Sequence, residues 1–111
     1  MAQYKRGDVV YASVPYTDLS TIENKYVLVV LRKTDDNLTL CRITERKKNL
    51  PNRIPIYRND FSTGKLKISP SFVLIDKILT IHSGLVKKYV GTLKQEKMQQ
   101  ILKKISIMFL D

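Results

Sequence analysis

Apolar and polar positions alternate in short bursts through most of this chain, and they change to a helical period only near the C-terminal end. Val9-Val10-Tyr11-Ala12-Ser13-Val14 predicts a first strand, stopped by Pro15, which lacks a backbone donor. The organising stretch is Lys25 to Leu31, where six apolar residues, three of them valines, follow one cation. That run is too short to span a bilayer and too β-branched for a good helix, so it predicts a buried central strand. The segment from Thr17 to Asn24 before it is polar and loop-like, which puts Lys25 where the backbone enters the core. Arg32 to Asn37 predicts a hairpin connection into a third strand from Leu38 to Thr44, with Arg42 and Thr44 on one face. Pro51 and Pro55 make the next stretch irregular, with Ile54 to Tyr57 as a short edge strand. Asn59 to Gly64 predicts a turn in which Gly64 is free to take a positive φ.

Ser71 to Ile75 and Ile78 to Ile81 predict two further apolar strands, parted by Asp76 and Lys77. Leu85 to Tyr89 is read as one helical turn, and Thr92 and Gln95 have the spacing of a capping box. Met98, Ile101, Leu102, Ile105 and Met108 or Phe109 then recur at helical spacing, with lysines opposite. Residues 1–111 therefore predict a single, mainly β domain: a small curved sheet or barrel closed by an amphipathic C-terminal helix.

Charge changes the picture next. Twenty basic residues stand against ten acidic ones, a formal +10, which makes a polyanion the first partner to consider. The plainer alternative is a solvated, lysine-rich surface. Cys41 is the only cysteine, so neither an internal disulfide nor a thiolate metal site can form. It lies in an apolar alternation that predicts packing. The N-terminus has no apolar signal region and no run reaches spanning length, so the expected location is the cytoplasm, without membrane association.

Little conventional chemistry is on offer. A single histidine, His82, excludes a two-histidine mechanism within one chain, and it reads as structural or exposed. The glycines are too scattered for a phosphate loop, and no ligand spacing for a metal occurs. What remains is cations, hydroxyls and one or two carboxylates near strand ends, including a basic run of Arg42, Arg46, Lys47, Lys48, Arg53 and Arg58 against Glu45. Such a set can cleave RNA without metal: the 2′-OH attacks its own phosphate, a base takes its proton, and cations stabilise the charge growing on phosphorus. Asp76 is flanked by Lys77, which favours the ionised form, although a solvated strand end explains the same pair. Lys25 has a similar bland alternative as a lysine whose stem snorkels at a strand start.

In order along the chain, these segments resemble the MazF/PemK/Kid toxins. Arg6-Gly7-Asp8-Val9-Val10-Tyr11-Ala12 is similar to that family's opening strand, and Lys25-Tyr26-Val27-Leu28-Val29-Val30 falls where the family has Arg-Pro and an apolar strand. Ile43-Thr44 sits at its functional threonine, and Val73 to Ile81 matches the segment usually ending in Gln-(Ile/Pro)-Arg-Thr-(Ile/Leu)-Asp. The resemblance implies an SH3-like β-barrel with a closing helix, a homodimer, and metal- and cofactor-independent, sequence-specific cleavage of single-stranded mRNA. A 2′,3′-cyclic phosphate and a 5′-hydroxyl are the implied products. It also implies an antitoxin whose acidic flexible tail competes for the RNA site. On this basis Lys25, Thr44 and Asp76 are the candidate catalytic residues. Arg42, Arg46, Lys48, Arg53 and Lys77 would position the RNA backbone, while Ser20, Thr21, Glu23 and Asn24 would shape base choice.

The chain also departs from the pattern. Lys25 replaces the family arginine and Tyr26 its proline, while Lys77 and Leu79 replace the Gln and Arg of the later segment. Lysine lacks the bidentate fork of arginine. Lys25 does the arginine's work, or Arg42 or Arg46 replaces it across the groove, or cleavage is lost and binding kept. The last option defines the alternative, a degenerate RNA-, DNA- or protein-binding module; inhibition of a protein such as DNA gyrase is a weaker variant.

Overall fold

Seven strands and one helix follow one another in a computed structural model that describes residues 3–15, 21–32, 35–46 and 51–110. They are β1 (Asp8–Pro15), β2 (Ile22–Arg32), β3 (Asn37–Thr44), β4 (Arg53–Ile56), β5 (Phe61–Gly64), β6 (Ser71–His82), β7 (Val86–Leu93) and α1 (Gln95–Leu110). The sheet is antiparallel throughout, in the order β4-β6-β3-β2-β1-β7-β5. β2 lies at its centre because Val27 to Val30 are buried on both faces, as a continuous apolar run demands. The period of two sends Leu28 and Val30 to one cluster with Val9, Cys41, Val73 and Ile101. It sends Val27 and Val29 to the other cluster, with Val10, Val14, Leu40 and Ile81. α1 covers the first cluster, burying Met98 and Ile101.

Asp8 ties the two ends of the chain together. Only 3% exposed, it accepts from the Lys5 backbone N–H at 2.9 Å and from the Thr92 hydroxyl at 2.9 Å. Gly7 (φ +97) makes the turn that brings Lys5 within reach. This accounts for one failed expectation. Thr92 is not a helix cap: it belongs to β7, its hydroxyl is given to Asp8, and α1 begins only at Gln95.

Three other expectations change. Leu85 to Tyr89 does not form a helical turn, because Val86 onward pairs with β1, and the later half of β7 pairs with β5. The two strands expected between Ser71 and Ile81 are one, β6. It carries a bulge, since Arg42 faces Leu74 while Cys41 faces Ile78, leaving Ile75, Asp76 and Lys77 as the extra residues. The sheet, finally, is not closed among the described residues: β4 and β5 are its edges. Pro55 suits such an edge, and β5 spans only four residues. The mainly β class with a C-terminal helix stands, and Gly64 has φ +69 as expected.

Candidate nucleic-acid interface

β2 and β3 separate at one end, and the separation makes a site. Their pairing stops at Val27↔Arg42. Beyond it β2 follows β1, with Lys25 opposite Ala12, whereas β3 follows β6, with Thr44 opposite Phe72. An open depression of about 320 Å³ fills the gap, bordered by Tyr11, Asn24, Lys25, Tyr26, Thr44 and Arg46 among others. Two more depressions adjoin it at Tyr26. One, of about 150 Å³, runs past Thr44 and Glu45 to Leu66 and Lys67. The other, of about 200 Å³, lies between Lys65, Lys67, Lys88 and Tyr89. Tyr26 borders all three, so together they form a trough across the sheet's end.

Local hydrogen bonds hold its walls. Thr44 Oγ1 accepts from the Arg46 backbone N–H at 3.2 Å, which leaves the threonine O–H to donate elsewhere. Arg53 Nη1 donates to the Arg46 carbonyl at 3.0 Å, bracing the exit of β3. Across the register Ser13 donates to Asn24 Oδ1 at 2.8 Å. Lys25 Nζ stands 3.0 Å from Glu23, so its charge is already partly answered. Tyr11 and Tyr26 face each other in the β1–β2 register with ring centroids 4.9 Å apart.

The expected site residues divide into groups. Lys25, Thr44, Asn24 and Arg46 border the first depression together. Glu23 reaches it through Lys25, Arg53 supports its wall, and Thr21 is exposed immediately before β2. Arg42 lies deeper, opposite Val27 and Leu74. Asp76 and Lys77 sit on the β6 bulge, outside the trough's lining, where Asn52 Nδ2 approaches Asp76 Oδ2 at 3.4 Å. The bulge is level with Arg42, two residues or roughly 7 Å along β3 from Thr44. Ser20 and Lys48 lie outside the described residues.

Burial pushes the Cys41 thiol up to about 12, and the negative charge of Asp76 adds to the shift. This agrees with a packing role. Among the described residues no group of three or more His, Cys, Asp or Glu is placed to hold a metal ion, and no helix is long and apolar enough to cross a membrane.

Several trough residues went unread in the sequence: Tyr11, Tyr26, Lys65, Lys67, Lys88 and Tyr89. Their signal is lysines and aromatic residues spread over β1, β2, β7 and the loop between β5 and β6, and only the fold brings them together. Glu45 reads in the sequence only as the acid in a basic run, yet it is the carboxylate that borders the depression beside Thr44.

A family profile described as PemK-like, MazF-like toxin of type II toxin–antitoxin systems matches residues 5–109. No curated protein matches by sequence. Solved structures do match in fold. A MazF toxin of Mycobacterium tuberculosis is 22% identical with a TM-score of 0.69, covering 92% of this chain and 95% of that one. MazF from Deinococcus radiodurans is 13% identical with a TM-score of 0.74, over 100% of both chains. A mycobacterial endoribonuclease in complex with its cognate antitoxin is 17% identical with a TM-score of 0.70, covering 95% of this chain and 93% of the other.

Proposed function

The chain belongs to the PemK-like, MazF-like toxins of type II toxin–antitoxin systems, and from that premise we propose that it is an endoribonuclease acting on single-stranded RNA. The observation that carries the reading is the meeting of Lys25, Thr44, Glu45 and Arg46 at one open depression where β2 and β3 part. A phosphodiester seated there would receive the Thr44 O–H and the Lys25 ammonium on its non-bridging oxygens. The exposed Glu23 partner is easily displaced, because such ion pairs hold by only about 0–1 kcal/mol.

Cleavage then needs one base. The 2′-oxygen attacks phosphorus as its proton passes to a carboxylate, the bond to the 5′-oxygen breaks with its electron pair staying on that oxygen, and the oxygen takes a proton from water to leave as a hydroxyl. A 2′,3′-cyclic phosphate remains, and no metal is required. We assign the base to Glu45, which borders the depression, in preference to Asp76, which stands a strand step away. The proposed partners are single-stranded RNA, a second copy of the chain, and an antitoxin whose acidic tail occupies the same cations in the cytoplasm.

Incubating the protein with a long single-stranded RNA in EDTA and mapping the ends tests this. Cuts ending in a cyclic phosphate are expected. Thr44→Ala should slow them by about 100-fold, as loss of one transition-state donor does. Glu45→Gln should slow them by about 100-fold or more, and Asp76→Asn by less than tenfold. Absence of cuts at any sequence ends the enzyme reading. The Glu23–Lys25 pair favours one second reading: RNA held without cleavage by a degenerate member. Salt-sensitive binding with intact RNA would select it.

A further inference from the structure

A trough that only followed phosphates would have no use for aromatic rings, yet β1 and β2 set two of them side by side along it. Tyr26 faces Tyr11 across the register, the rings tilted by 48°. Lys88, opposite Tyr11 on β7, holds its Nζ 5.9 Å from that ring's centroid, within cation–π range. Tyr26 is also packed against the first core cluster, so its ring is held rather than free to swing. A tyrosine that merely sealed the core would not border three depressions at once. Lysines stand on either side of the ring, Lys25 in one depression and Lys65, Lys67 and Lys88 in another. Proteins that hold single strands combine cations for the backbone with fixed aromatic faces for the bases.

Resting on the nucleic-acid reading above, we propose that Tyr26 is a base-stacking seat: one unpaired nucleobase lies on its ring, and Lys65 and Lys67 hold the phosphates beside that base. Tyr11 and Lys88 are positioning residues that fix the ring. The seat belongs to this chain in particular, since Tyr26 stands where the family resemblance puts a proline. An acidic peptide could engage the lysines, but it has no base to place on the ring.

The test compares two fluorescein-labelled 2′-O-methyl dodecamers that cannot be cut, one of random sequence and one abasic throughout with the same phosphates. The unaltered protein should bind the base-bearing probe about tenfold more tightly. Tyr26→Phe should keep that ratio. Tyr26→Leu, which retains packing bulk, should bring it near one while changing abasic affinity less than about twofold. The chain has no tryptophan, so Tyr26→Trp supplies a lone reporter whose emission the base-bearing probe should quench and the abasic probe should not. A ratio near one in the unaltered protein, or equal quenching by both probes, overturns the seat even if the leucine variant fails to fold. Tight, equal binding of both probes removes the seat alone, whereas binding of neither removes the nucleic-acid reading beneath it.

Discussion

Cys41 and Lys25 are single residues in contrasting settings, one buried in the core and the other ion-paired beside an open depression. Burial keeps the Cys41 thiol protonated, raised from 9.0 to about 12. Its unfolded counterpart ionises near 9.0, so above that pH the folded chain binds more protons than the unfolded one. The contribution of this group to stability is therefore fully present below pH 9 and is lost as pH rises from about 9 towards 12. Cys41→Ser would confound this with a buried hydroxyl, so Cys41→Ala is the better comparison; its urea midpoint should fall less steeply over that window. Native Cys41 should also resist a thiol reagent at pH 8 and react once urea unfolds the chain. Lys25 keeps an exposed partner instead, and stays available. In the sequence Lys25 stood out as the cation opening an apolar run, but β2 begins three residues earlier, at Ile22, so it lies within the strand rather than at its mouth. Thr44 was legible because a threonine closing an apolar run marks a strand end. Tyr26 was not, since an aromatic residue inside an apolar run reads as core; only the parting of β2 and β3 turns it toward the trough.

At the scale of elements, the strands with strong alternation were readable and those decided by pairing were not. Val86-Lys87-Lys88-Tyr89 has apolar residues three apart, as a helical turn would, but hydrogen bonding to β1 overrides that spacing. Asp76 and Lys77 looked like a break because a bulge places polar residues inside a strand that continues on both sides. The close approach of β5 to β7 yields a sharp test. Gly64 has φ +69, and a Cβ there would strike the Val90 carbonyl oxygen and lie 2.7 Å from the Gly91 Cα. Gly64→Ala should therefore cost about 1–3 kcal/mol in a urea titration. Asn tolerates a left-handed backbone, so if φ alone mattered Gly64→Asn would recover most of that loss. The collision predicts that it recovers little; a near-native midpoint for Gly64→Asn would show that β5 and β7 can move apart.

Across the whole molecule, a formal charge of +10 says that a polyanion is attracted but not where it lies. Charge alone would spread the effect over every lysine, including Lys103 and Lys104 on the exposed face of α1. The trough localises it instead, gathering Lys25, Arg46, Lys65, Lys67 and Lys88 around Tyr26. The two pictures differ in their response to salt. Each phosphate neutralised on a single strand contributes about −0.7 to the slope of log affinity against log salt. With about four phosphates held, an uncleavable RNA should show a slope near −3. Replacing Lys65 and Lys67 together by alanine should flatten it by about 1.4, while replacing Lys103 and Lys104 should leave it within about 0.3. Equal flattening by both pairs would mean that the protein attracts RNA as a diffuse cation, and the gathering of cations around the trough would then have no bearing on how RNA is held.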